Sequence, residues 1–405
     1  MKLFKNIGPA TLVTAAFIGP GTVTICTIAG VNFGYSLLWA MVFSTFATLG
    51  LQEMSARLGI VSGKGLAAII TDTRNPILKI VFITLIMGAI VIGNLAYEAG
   101  NISGGMLGLS LFTSDSQLNV GSISINYLSF SLGVTAFALL YFGNYKSLEK
   151  LLIISVIIMS LSFILTAILT KPSFSLILKG IVNPNITSDN LLTVVALIGT
   201  TVVPYNLFLH SSLVKQKWSN VSELRNARID TMISVFIGGL ISMSIIICAA
   251  ATNNPEIKTA THLALSLEPV FGSFSKYLIG FGLLAAGLSS AITAPLAAAL
   301  VAKESFGWNQ GSTTWKFRAT WILILVTGTI FSSVGIKPIL IIQFAQLVNG
   351  ILLPVAAGFL LWAVNNKKIM REYGNTKALN IFGIVIFTIT LFLGLKSIFK
   401  VLTII

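Results

Sequence analysis

Apolar runs of bilayer length recur along the whole chain, and this constrains the fold more than any other feature. A helix crossing the hydrocarbon core of a membrane needs about 20 mostly apolar residues. Eleven such runs lie near 10–30, 35–57, 78–106, 120–143, 150–170, 187–214, 229–252, 274–302, 317–335, 338–363 and 379–400. The connections are short, so residues 1–405 are expected to form one transmembrane domain with no soluble module. Composition agrees: 55% of residues are hydrophobic and 9% charged, where soluble domains carry about 25% charged residues. A soluble chain of this kind could not cover its surface. The expected fold class is an all-α membrane protein of about eleven transmembrane helices. A soluble enzyme, a secreted disulfide scaffold and a disordered tail are excluded.

The net charge is +14, from 26 Lys and Arg against 12 Asp and Glu. The bases flank the apolar runs, so they indicate orientation rather than nucleic-acid binding. With the N-terminus inside, 19 bases fall on the cytoplasmic side. Lys171, Lys179, Lys258, Lys276, Lys337, Lys396 and Lys400 fall outside. This split predicts N-terminus in and C-terminus out, in a membrane of the bacterial cytoplasmic type. The expected partners are the lipid bilayer and a small inorganic ion. No nucleic acid and no obligate protein partner is expected. Cys26 and Cys248 sit inside apolar runs without metal-ligand spacing and read as packing residues.

Two runs are interrupted alike. The first reads Ala16-Phe17-Ile18-Gly19-Pro20-Gly21-Thr22-Val23-Thr24, and the sixth reads Ile198-Gly199-Thr200-Thr201-Val202-Val203-Pro204-Tyr205-Asn206. Proline removes a backbone donor and clashes with the preceding turn, while glycine permits unwinding. Each break opens a set of five runs, and an odd number inverts the topology of the second set. The reading is a 5+5 inverted repeat, 10–171 and 187–363, with an extra helix at 379–400. Paired breaks in corresponding positions indicate a secondary transporter with its site at the midplane.

These residues resemble the Nramp family of divalent-metal transporters, which have a LeuT-type fold with broken helices 1 and 6. The resemblance rests on Phe33-Gly34-Tyr35-Ser36-Leu37-Leu38-Trp39 and on Leu51-Gln52-Glu53-Met54-Ser55-Ala56-Arg57-Leu58-Gly59. It continues through Pro204, Asn206, His210-Ser211, Gly287-Leu288-Ser289-Ser290, Ile292-Thr293, Gln346 and Leu353-Pro354. At the site the chain departs from the pattern. The family's Asp-Pro-Gly-Asn is Gly19-Pro20-Gly21-Thr22 here, and its Met-Pro-His is Val203-Pro204-Tyr205. The acidic positions of helix 3 align with Asn94 and Tyr97, with Glu98 one residue away.

A first shell of Gly19, Thr22, Val203, Tyr205 and Asn206 has no formal charge, and a desolvated divalent ion is costly there. The half-helices that begin after each break place N–H groups and positive dipole ends at the centre. On this reading the substrate is a small inorganic anion, bicarbonate foremost, held by Gly19, Gly21, Thr22, Thr24, Val203, Tyr205, Asn206 and Gln346. Nitrate, formate and chloride fit the same argument. Anion entry against a negative-inside potential needs a driving cation. Sodium is expected as the coupling ion at Ala16, Gly19, Ser289, Ser290 and Thr293, with no other cofactor. Asn94, Tyr97, Glu98 and His210 are the candidates for a proton route. The alternative is a divalent metal (Mn2+ or Mg2+) transporter, proton-coupled or uncoupled. A membrane enzyme is disfavoured, since no catalytic motif is present, and paired breaks suit a carrier better than a channel.

Overall fold

The computed structural model describes residues 18–73, 75–113, 117–120, 123–143, 146–252, 256–308 and 314–404. Helices dominate. In chain order the main ones are α1 (Pro20–Phe33), α2 (Leu38–Ser62), α3 (Pro76–Leu109), α4 (Tyr127–Phe142), α5 (Lys146–Leu169) and α6 (Phe174–Val182). They continue as α7 (Leu191–Thr201), α8 (Pro204–Lys217), α9 (Leu224–Ala250), α10 (Ser275–Ser305), α11 (Trp315–Ser333), α12 (Pro338–Val364) and α13 (Lys377–Ile404). Each of the eleven apolar runs contains a helix, the first described only from residue 18. The fourth run departs at its start. An antiparallel hairpin, β1 (Gln117–Val120) and β2 (Ile123–Asn126), extends into the run from residue 120, and α4 begins only at Tyr127. Asn126 caps it by accepting from the Ser129 amide at 3.0 Å, a bond that a helical Asn126 could not make.

The helix starts follow local chemistry. Pro20, Pro76, Pro204 and Pro338 each stand at a first helical position, where a missing N–H costs nothing. Gly63 and Gly143 end α2 and α4 in the left-handed conformation. In lipid, burial of apolar surface does not drive helices together, so close packing matters more. Gly100, Gly104 and Gly108 on α3 read as a small-residue stripe for such packing. They serve three different neighbours. A Cβ on Gly100 would lie 3.0 Å from Ala345 Cβ on α12, one on Gly104 would strike the Pro20 ring of α1, and one on Gly108 would meet the Gly280 carbonyl of α10. Thus the C-terminal half of α3 runs through the centre of the bundle, against α10, α12 and α1. Large apolar side chains such as Phe236, Phe344, Phe392 and Leu402 face outward. In a bilayer that is the lipid surface.

Candidate substrate site

The break of the sixth run is present, and in the first run, where residues before 18 lie outside the described ones, a helix starts at Pro20. In the sixth run, α7 ends at Thr201, Val202 and Val203 are unwound, and Pro204 opens α8. In the first run, Gly19 caps α1 in extended backbone and Pro20 opens the helix. The two breaks meet. Thr22 Oγ1 and Thr200 Oγ1 are 2.8 Å apart and buried, a hydroxyl pair bridging α1 and α7. Gln346 on α12 lays its amide over Gly21, so any side chain at position 21 would displace it. Gln346 Oε1 has no hydrogen-bond partner, and neither amide atom of Asn206 has one. Thr24 is fully buried, and its hydroxyl is likewise unpartnered. An unsatisfied buried polar atom costs about 1–3 kcal/mol, so these oxygens and amides are poised for something absent from the protein itself.

The backbone sets the electrostatics. Each half-helix after a break starts with proline, which has no N–H. Beyond it, Val23 N–H closes the first turn of α1 on Gly19 O at 3.2 Å and Asn206 N–H bonds Val203 O at 3.0 Å, while the N–H groups of Gly21, Thr22 and Tyr205 stand at the N-terminal ends. On the other side of the break, the last bond of α7 runs from Val202 N–H to Ile198 O at 2.9 Å. The carbonyls of Gly199, Thr200 and Thr201 lie beyond it, at the negative end of the helix dipole. Broken helices present carbonyl ends to cations as well as N–H ends to anions. The break therefore presents both carbonyl and N–H ends to the centre.

The remaining candidates are distributed around this centre. Tyr97 on α3 packs against Tyr205 on α8, with ring centroids 5.6 Å apart. Val203 is buried at the start of α8 and contributes no sulfur. Glu98 is fully buried; its Oε2 accepts from Asn101 at 3.4 Å, Oε1 is unpartnered, and its stem packs on Gly328 of α11. His210 faces the other way, its Nδ1 bonded to Gln52 Oε1 on α2. The proposed proton carriers Glu98 and His210 therefore sit on different interfaces. Asn94 donates to Ile90 O at 2.8 Å. Of the proposed coupling-ion ligands, Ala16 lies outside the described residues. Thr293 turns its hydroxyl back onto Ser289 O of its own helix at 2.9 Å, while Ser290 is buried. Two residues escaped the sequence reading: Thr200, the partner of Thr22, and Asn349, three residues after Gln346 on α12. Both were marked by a readable signal, since Thr200 stands in the break and Asn349 shares a helix face with Gln346.

Helices that begin at Pro20 and Pro204 around one buried polar centre have the arrangement of the LeuT-type fold. The chain belongs to the Nramp family: the family model described as natural resistance-associated macrophage protein-like matches residues 10–400. It is 28% identical to a divalent metal cation transporter MntH of Caldanaerobacter subterraneus subsp. tengcongensis, over 97% of this chain and 92% of that one. It is 27% identical to the MntH of Bacillus subtilis, over 93% and 87% respectively. Among solved structures it resembles an Eremococcus coleocola manganese transporter, with a TM-score of 0.77, 21% identity, and coverage of 98% of this chain and 86% of that one. A nucleobase-cation-symport-1 family transporter shares the fold at a TM-score of 0.59 and 13% identity.

These relatives correct the anion reading. Proteins similar over nearly the whole chain are named for divalent metal cations, so bicarbonate as substrate, and an anion as partner, are withdrawn. The anion reading weighed the N–H ends of α1 and α8 and left out the carbonyl end of α7, which can serve a cation. Sodium symport falls with it. Its need arose from driving an anion inward, and a cation is drawn in by a negative-inside potential.

Proposed function

We propose that this chain carries a divalent metal cation across a membrane by alternating access, with its N-terminus inside and its C-terminus outside. The observation that carries this reading is likeness over 97% of the chain to a protein named as a divalent metal cation transporter. The local chemistry supports it in a particular form. Among the described residues, no group of three His, Cys, Asp or Glu gathers to hold a bare ion. The available ligands are neutral oxygens: the Thr22 and Thr200 hydroxyls, Gln346 Oε1 and the carbonyls ending α7. Such a site suits a hard cation that keeps several waters, as magnesium does, or manganese. Without a thioether at Val203 it offers nothing to favour soft metals. Glu98, fully buried next to Tyr97 and with Oε1 unpartnered, is a source of compensating negative charge.

The test is uptake into proteoliposomes of verified insertion, comparing Mn2+, Mg2+ and bicarbonate under the same inside-negative potential. Saturable entry of Mn2+ or Mg2+ without bicarbonate flux is expected. Bicarbonate flux with neither metal moving would overturn the proposal.

A further inference from the structure

We infer that Asn94 and Asn349 form a second, neutral station for the hydrated cation, one helical turn from the central site. The inference rests on the proposed function. It starts from the crossing of α3 and α12. These helices run antiparallel, since Gly93 faces Asn349 and Leu352 while Gly100 faces Ala345 and Ile342. Going from Gln346 to Asn349 moves about 4.5 Å along α12 on one face. Going from Tyr97 to Asn94 moves the same way along α3. Both steps therefore lead to the same side of the membrane, the cytoplasmic side in the proposed orientation.

The interface is built open at that level. A Cβ on Gly93 would lie 3.5 Å from Asn349 Oδ1 and 3.4 Å from Leu352 Cδ1. The glycine leaves room beside the Asn349 amide. Asn94 and Asn349 are 1% and 2% exposed, yet Asn94 Oδ1 and Asn349 Nδ2 have no hydrogen-bond partner. Asn94 Nδ2 is tied to Ile90 O at 2.8 Å, which fixes that amide and leaves its oxygen as an acceptor. With Gln346 Oε1, three amides on two facing helices carry unpaired polar atoms: Gln346 and Asn349 lie one turn apart on α12, and Asn94 follows Gly93, which faces Asn349. In a membrane interior no bulk water satisfies them. A hydrated cation satisfies the oxygens: its bound waters are donors, and Asn94 Oδ1, Gln346 Oε1 and the Asn349 Oδ1 beside Gly93 accept from them, whereas Asn349 Nδ2 is itself a donor. Because the station has no formal charge, it passes the ion on instead of trapping it.

Initial rates of Mn2+ and Mg2+ uptake by the full chain in proteoliposomes test this, with Asn349→Leu and Asn349→Asp compared with wild type. Loss of a station met after the central site lowers the maximal rate by about tenfold while leaving KM within about twofold. Asn349→Asp is expected to tighten equilibrium binding of Mn2+ to the detergent-solubilised protein and to slow turnover. Size-exclusion profile and Tm identify variants that fold. A folded Asn349→Leu with the wild-type rate, or a folded Asn349→Asp with unchanged binding and rate, overturns the station alone. Absence of both metal fluxes in wild type overturns the proposed function and the station with it.

Discussion

At the scale of single residues, the site is distinguished by what its atoms are made of. Thr22, Thr200 and Gln346 supply oxygen, and Val203 supplies only carbon where metal-transporting members of the family carry methionine. Ligand softness decides between metals of similar size and charge. Val203→Met restores a polarizable sulfur at the start of α8 without adding charge. It is expected to lower the Cd2+ concentration that half-inhibits Mn2+ uptake by about tenfold. Competition curves in proteoliposomes measure this, and coincident curves for variant and wild type would mean that position 203 does not face the ion. Cysteine plays no such part: Cys26 and Cys248 are both buried and unpaired, and Cys248 Sγ donates to Phe163 O at 3.2 Å.

At the scale of elements, the site exists because helices approach closely at chosen points. Pro20 sits directly on Gly104, so the first turn of α1 is seated on α3 by the absence of a side chain. Gly104→Ala puts a methyl group where the proline ring is, and α1 must move. Overpacking of this kind costs about 1–3 kcal/mol, and it displaces the Thr22 hydroxyl from Thr200. Reduced Tm together with weakened Mn2+ uptake is the expected outcome; a shift in Tm with unchanged uptake would place the substrate elsewhere. Toward the C-terminal end of α2, Glu53 and Arg57 form the i,i+4 pair legible in the sequence, at 3.1 Å. The structure extends it: Arg57 donates to Tyr373 O at 2.6 Å and Asn375 Oδ1 at 2.7 Å, and Arg228 joins Glu53 at 2.9 Å. One buried guanidinium thus ties α2 to the segment before α13, while Glu53 ties it to α9.

At the scale of the whole molecule, the sign of the transported charge has a direct electrical signature. Each elementary charge crossing 100 mV is worth about 2.3 kcal/mol, so a dication entering a negative-inside vesicle without counter-transport gains about 4.6 kcal/mol. Imposing an inside-negative potassium diffusion potential is therefore expected to accelerate Mn2+ uptake, and an inside-positive one to slow it. Rates measured at several imposed potentials check this. Insensitivity to voltage would show that compensating charge moves with the ion, and Glu98 would then be the first residue to neutralise.

Periodicity, punctuation and charge are local properties, and a sequence displays them directly. The apolar runs placed the helices, Pro20 and Pro204 placed the breaks, and the quoted stretches from Phe33 to Pro354 placed the family. The contents of the site were legible only as a set of residues. Gln346 over Gly21, Thr22 against Thr200, and Asn349 beside Gly93 join positions far apart in the chain, and only helix packing brings them together. Which carbonyl and N–H ends meet at the centre was decided in the same way. It depends on which backbone groups remain unbonded where α7 ends and where α1 and α8 begin. That is a property of folded hydrogen bonds, which no count of side-chain charges contains.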